Sequence, residues 1–285
     1  MKIYIGDRGV ALPQTNQLLN VVGVSVRFGG IKALDQVTFS VHMGEICALI
    51  GPNGAGKSTL FNCLSRLYDV SEGRIEFCGT ALSDLPRHEI ARIGIGRTFQ
   101  NLALFRSMSV RENILVGCHT GMRGGVFPDS FRLGRARRAE ASAQAQADAL
   151  LNLIGLQDSA EDLVSELPFG TQKRVELARA LATEPKLLLL DEPACGLNHA
   201  EISDLGELIR NIRSRLGISI LLVEHHMGLV MGVSDRVVAL NFGRKIAEGS
   251  PKEVAVHPDV VKAYLGDEHD VPVGTLAATP IEVHA

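Results

Sequence analysis

The chain has 285 residues, with 29 Lys+Arg against 32 Asp+Glu for a formal net charge of −3, and 46% of its residues are hydrophobic against 21% charged. That apolar fraction at low net charge can bury a core, which excludes disorder of the whole chain. The near-neutral balance lacks the strongly basic footprint of a nucleic-acid binder, so no nucleic-acid partner is expected.

The most apolar stretch, from Ile218, is broken by Glu224, His225 and His226 well short of the ~18 apolar residues of a membrane span. Met1 to Ile5 runs straight into Gly6, Asp7 and Arg8 rather than into an apolar block, so the chain is expected to stay on the cytoplasmic side. Its five cysteines, Cys47, Cys63, Cys78, Cys118 and Cys195, contain no Cys-x-x-Cys pair and read as small buried hydrophobes.

In chain order, Val22, Val24, Val26 and Phe28, then Val37, Phe39 and Val41, alternate with other residues at period two, which predicts half-exposed antiparallel strands. Glu45 to Ile50 is a short apolar run stopped by Gly51-Pro52-Asn53-Gly54. Leu187 to Leu190 is another, stopped by Asp191-Glu192-Pro193. Unbroken runs of this kind fit strands covered on both faces of a parallel sheet.

Between those runs lie roughly 130 residues, far more than a loop, and Ala139 to Leu153 and Gln172 to Leu181 carry helical composition and spacing. Beyond Asp191 the pattern predicts a helix from His199 to Arg215, a strand at Ile218 to Val223, a short helix through Met231, and strands at Arg236 to Leu240 and Lys245 to Ala247. Alternating strand and helix predicts a mostly parallel, doubly wound α/β sheet. An antiparallel β subdomain precedes it, and a helical insertion at about 101–175 interrupts it. Asp267 to Ala285 lacks periodicity and reads as a mobile tail.

Gly51-Pro52-Asn53-Gly54-Ala55-Gly56-Lys57-Ser58 follows the pattern Gly, four residues, Gly, Lys, Ser/Thr between a strand and a helix. Glycines let consecutive backbone N–H groups turn toward a β-phosphate, and the following helix directs its positive end at the same anion. Lys57 adds a point charge, the Ser58 hydroxyl is placed for Mg²⁺, and Thr59 follows in the same turn. An acid ending a buried strand points into the crevice where doubly wound sheets bind ligands, so Asp191 is placed to hold Mg²⁺. Glu192, the next residue, is placed to polarise an attacking water. The two strands that carry these groups are expected to be neighbours despite their separation in sequence.

Taken together, Gly51 to Ser58, Arg97-Thr98-Phe99-Gln100, Leu167-Pro168-Phe169-Gly170-Thr171-Gln172, Asp191-Glu192-Pro193 and Glu224-His225-His226 resemble, in order and spacing, an ABC transporter ATPase subunit. Further residues bring the likeness nearest to the ATPase subunits of branched-chain amino acid importers: Leu104-Phe105-Arg106, Val110-Arg111-Glu112-Asn113, Ala194-Cys195-Gly196-Leu197-Asn198 and Ala263-Tyr264-Leu265-Gly266. The resemblance covers residues 19–266 and implies a P-loop NTPase core that binds ATP and Mg²⁺. It places Phe28 on the adenine, Gln100 at the metal, and His225 at the γ-phosphate with His226 as a bystander.

The segment Leu167 to Gln172 departs from the family's usual Leu-Ser-Gly-Gly-Gln, because Pro168, Phe169 and Thr171 stand where Ser, Gly and Gln are common. Gly170 is kept, so backbone N–H groups there could still face a partner's nucleotide. Asn198 stands where Asp is common and can hydrogen-bond across an interface. The resemblance further implies a second ATPase subunit, identical or different, permease subunits, and indirectly a solute-binding protein, with the chain peripheral on the cytoplasmic face of the inner membrane. The rival readings are an ABC ATPase for another cargo, an ABC ATPase of DNA repair or translation, for which the chain lacks the long coiled coil or second cassette, and a soluble kinase or GTPase, the latter without an Asn-Lys-x-Asp guanine motif.

Overall fold

The computed structural model describes residues 16–98, 102–119 and 132–265. Two sheets carry the fold. β1 (Gln17–Phe28) and β2 (Ile31–His42) form a long antiparallel hairpin. Past β3 (Ile46–Ile50) and α1 (Lys57–Leu64), β4 (Glu72–Phe77) and β5 (Thr80–Ala81) complete an antiparallel sheet of order β2-β1-β4-β5. This is the expected β subdomain; β1 buries Val21, Val24 and Val26 against α1 and the second sheet, but a register shift between Val21 and Val24 breaks the expected alternation, leaving Val22 half-buried and Phe28 exposed.

A short helix α2 (Ile90–Ile93) leads into β6 (Ile95–Arg97), after which come α3 (Val110–His119), α4 (Arg132–Ile154) and α5 (Phe169–Leu181). Then β7 (Leu187–Asp191), α6 (His199–Leu216), β8 (Ser219–Val223), α7 (Met227–Val233), β9 (Arg236–Asn241), β10 (Arg244–Gly249), α8 (Pro251–Ala255) and α9 (Pro258–Leu265) follow. The second sheet has order β10-β9-β3-β8-β7-β6 and is parallel except at the β9–β10 hairpin. Every residue of β3, β7 and β8 is buried, as their unbroken apolar runs demand.

One expectation fails here. β3 and β7 are not neighbours, because β8 lies between them and pairs with both. Val223 of β8 is level with Leu49 of β3 on one side and with Asp191 of β7 on the other. Three strands therefore end at one height, and two strand spacings, about 10 Å, separate the outer pair.

The helices α3, α4 and α5 share one apolar cluster with the underside of the second sheet, including Ile114, Leu151, Val175 and Leu188. Cys47, Cys63, Cys78 and Cys118 are buried as expected, and burial pushes the Cys63 thiol up to about 12 and the Cys118 thiol to about 11. Cys195 is exposed, contrary to expectation, because it sits in the turn between Glu192 and α6 rather than on a packed element. Among the described residues no helix is long and apolar enough to cross a membrane.

Candidate active site

The loop from Gly51 to Gly56 is closed by contacts that only glycine allows. At Gly51, with φ +150°, an added Cβ would stand 2.2 Å from the Leu240 carbonyl oxygen. Gly56, with φ +99°, would meet Leu34 Cδ2 at 2.7 Å and the Ala33 oxygen at 2.8 Å. The turn between β9 and β10 holds the loop from behind, with Gly243 N donating to the Ala55 oxygen at 3.1 Å. A side chain at either glycine would push the loop away from the sheet.

Gly56 also precedes the first turn of α1, which carries no side-chain cap and no acid. The N-terminal N–H groups of such a turn have no partner within the helix and carry partial positive charge, so this end suits an anion. Pro52 is half-buried, Asn53 and Gly54 are exposed, Ala55 is buried, and Ser58 is exposed in the first helical turn beside half-buried Thr59. Lys57 is buried, and its Nζ donates to the carbonyl oxygens of Gly51 at 2.6 Å and Pro52 at 3.0 Å. Burial lowers the Lys57 pKa, opposed by the charges of Glu192 and Asp191. The level ends of β3, β8 and β7 bring the loop and the acidic pair to one edge of the sheet.

Asp191, buried at the end of β7, accepts from Arg97 Nη2 at 2.9 Å. The other guanidinium nitrogen, Nη1, donates to Asn62 Oδ1 and Ser65 Oγ at 2.9 Å each, so Arg97 spans from β6 to the far end of α1. Glu192 follows in a left-handed conformation, φ 47°, with its N–H donating to the Val223 oxygen at 2.9 Å. His225, exposed beyond β8, has Nδ1 3.9 Å from an oxygen of Glu192 and 3.9 Å from an oxygen of Glu224. His226 instead caps α7, accepting from Leu229 N at 3.2 Å.

Among the described residues no three His, Cys, Asp or Glu side chains cluster as a metal cage. Mg²⁺ is a hard ion usually held by one or two carboxylates together with substrate phosphates, so one carboxylate and an exposed hydroxyl beside a phosphate loop fit it. Gln100, the third expected metal contact, lies outside the described residues, as do Asp267 to Ala285.

Phe28 ends β1 and is 45% exposed, its ring meeting that of Tyr68 edge-on at 5.1 Å between centroids. On the other side of the second sheet, Pro168 precedes α5, and Phe169, Gly170, Thr171 and Gln172 form its first turn, earlier than the helical spacing indicated. Pro168 has extended ψ and a fixed φ, which starts the helix there. Gln172 Nε2 donates to the Leu167 oxygen at 2.8 Å, and Lys173 lies 5.6 Å over the Phe169 ring. Phe169 packs on Gly196, where an added Cβ would stand 2.8 Å from the ring. Asn198 Oδ1 is engaged within α6, accepting from Glu201 N at 3.0 Å in a capping box, so its amide nitrogen is the end a neighbour could meet.

Residues 34–195 match the ABC transporter family, and residues 244–270 match the branched-chain amino acid ATP-binding cassette transporter family. This chain belongs to the ABC transporter ATP-binding family. The cassette is similar to the high-affinity branched-chain amino acid transport ATP-binding protein LivG of Escherichia coli (strain K12), with 45% identity over 88% of this chain and 98% of that one. It is 42% identical to the corresponding protein BraF of Pseudomonas aeruginosa over the same 88%, which is 98% of that chain. A crystal structure of a nucleotide-free ATP-binding cassette from an ABC transporter superposes with a TM-score of 0.76 at 31% identity, covering 88% of this cassette and all of that chain, 100%.

Sequence reading missed three contributors to the cassette's site. Tyr68 had no signal beyond being aromatic. Arg97 and Glu224 were visible only as letters of motifs, although Glu224 ends an apolar run as Asp191 does.

Proposed function

We propose that the chain is the ATP-hydrolysing subunit of an importer for branched-chain amino acids or related small solutes, with residues 19–266 as its cassette. The convergence of the Gly51 loop, Asp191-Glu192 and His225 at three level strand ends carries this reading, and the likeness to LivG and BraF supplies the cargo class. The loop amides from Gly51 to Gly56, with Pro52, Asn53, Gly54, Ala55, Ser58 and Thr59 around them, hold the phosphates. Lys57 exchanges the carbonyls of its own loop for the β and γ oxygens, and Phe28 takes the adenine face.

Mg²⁺, held by Ser58, Gln100 and Asp191, supplies neutralisation of phosphate charge when bound. Glu192 accepts a proton from the attacking water, and His225 steadies the γ-phosphate as its bond breaks. The segment Pro168-Phe169-Gly170-Thr171-Gln172, with Asn198, faces the nucleotide of a second ATPase subunit, so that closure of the pair depends on ATP. Loss of the γ-phosphate removes the contacts that favour closure, and the movement reaches permease subunits at the cytoplasmic face of the inner membrane. A solute-binding protein on the other side delivers the cargo. This subunit needs no nucleic-acid partner for that work.

The test is recovery of the tagged chain from detergent-solubilised membranes. Co-purification of permease subunits, with uptake of a branched-chain amino acid lost in their absence, is expected. Recovery of only soluble proteins or nucleic acid would overturn the transport reading.

A further inference from the structure

Glu224 is a fully buried carboxylate at the C-terminal end of β8, between the two strands whose ends carry the reacting groups. Its oxygens are taken by backbone rather than by a cation. One accepts from Ala194 N at 2.7 Å; the other accepts from His225 N at 2.9 Å and His226 N at 3.0 Å. The first donor belongs to the turn that follows Glu192, and the other two belong to the segment that presents His225. A buried charge without such donors would be costly, so these bonds are strong and mutually dependent.

The turn it holds is strained. Glu192 sits at φ 47°, a conformation that non-glycine residues adopt only when their surroundings fix them. Its N–H is bound to the oxygen of Val223, the residue before Glu224, and its carbonyl accepts from Cys195 N at 3.1 Å. One short stretch, Val223-Glu224, thus fastens both sides of the strained residue. The same carboxylate oxygen that takes the His225 amide lies 3.9 Å from the His225 ring, which is also 3.9 Å from Glu192.

We infer that Glu224 is a positioning residue for ATP hydrolysis, whose carboxylate clasps the Glu192 turn and the His225 segment in one register so that the water-polarising acid and the γ-phosphate histidine face the same point. The inference rests on the reading of Glu192 and His225 given above. It also links the turn bearing Cys195 and Asn198 to the histidine segment, so a shift of one loop carries the other.

Glu224→Gln keeps the shape of the side chain but turns one acceptor into a donor. Whichever way the amide lies, the Ala194 amide or the two histidine amides lose their acceptor. With the full-length chain, kcat for ATP hydrolysis is expected to fall at least about tenfold while KM and nucleotide affinity stay within about twofold, since no phosphate contact is removed. A wild-type kcat, or kcat and nucleotide affinity falling together with the thermal midpoint, overturns the assignment.

Glu192→Gln is measured alongside. If that variant hydrolyses ATP at the normal rate, the reading of the site fails and takes this one with it. If it is slow while Glu224→Gln is normal, only the role of Glu224 falls. Should Glu224→Gln not fold, amide exchange in the wild-type chain decides: slow exchange at Ala194, His225 and His226 is expected, and exchange as fast as an open loop overturns the clasp.

Discussion

Arg97 Nη2 lies 2.9 Å from Asp191 Oδ2, and the two side chains are only 11% and 7% exposed. The acid proposed to hold the metal is therefore fastened to the helix that follows the Gly51–Gly56 loop, since Arg97 also reaches Asn62 on α1 and Ser65 at its C-terminal cap. Removing one partner of a buried pair leaves an uncompensated charge. Arg97→Ala is expected to destabilise the fold by about 3–5 kcal/mol, read from chemical denaturation. A loss under ~1 kcal/mol would place the pair in the range of surface ion pairs instead.

Glu192 combines the proposed water-polarising role with a left-handed backbone. Glu192→Gln is expected to slow hydrolysis about 10²- to 10⁴-fold while ATP still binds and a closed dimer accumulates, seen by size-exclusion chromatography with ATP. Glu192→Gly abolishes the chemistry too, yet relieves the strain and is expected to raise unfolding stability by about 1 kcal/mol. A drop in stability for the glycine variant would show that the turn is not strained.

The edge-on contact of Tyr68 with Phe28 fixes the plane that the proposed adenine site presents. An aromatic pair contributes about 0.5–1.5 kcal/mol, so Tyr68→Ala should weaken ATP binding by roughly twofold to tenfold. Tyr68→Phe keeps the ring and should bind like the parent. Equal affinities for all three chains in equilibrium dialysis would remove Tyr68 from the site.

At the opposite end of β3, Glu45 Oε1 accepts from Arg236 Nε at 2.7 Å and Oε2 accepts from His42 N at 2.7 Å. Burial, the largest single influence, would raise the Glu45 pKa, but the Arg236 guanidinium and the His42 hydrogen bonds together outweigh it and the net direction is down from 4.5. A carboxylate held below its unfolded value contributes stability above that value and loses it as pH falls through the folded one. The stability difference between parent and Glu45→Gln should thus be full near neutrality, at about 1.5–3 kcal/mol for a charge-assisted hydrogen bond, and shrink on acidification below about pH 4.5. Urea titrations at neutral and acidic pH measure it, and a difference that grows in acid contradicts the ion pair.

Much of the molecule was readable because its signals are local. The Gly51 to Ser58 pattern needs no distant residue to be recognised, and the apolar runs ending at Ile50 and Leu190 declare covered strands. Helix ends were less readable. Pro168 and the side chain of Gln172 start α5 before its apolar spacing begins, and the capping of α6 by Asn198 shows only in its bond to Glu201 N. Cys195 falls on a turn and is exposed, which composition does not reveal.

The linear chain by itself carried the groups of the proposed chemistry, Gly51 to Ser58, Asp191, Glu192 and His225, each within a few consecutive residues. Tertiary structure decided their arrangement. The order of strands follows from how helices pack on both faces of the sheet, a non-local matter, and it set β8 between β3 and β7. Only through that insertion does Glu224 come to lie beneath both Glu192 and His225, joined to each loop by backbone hydrogen bonds that no side-chain pattern can announce.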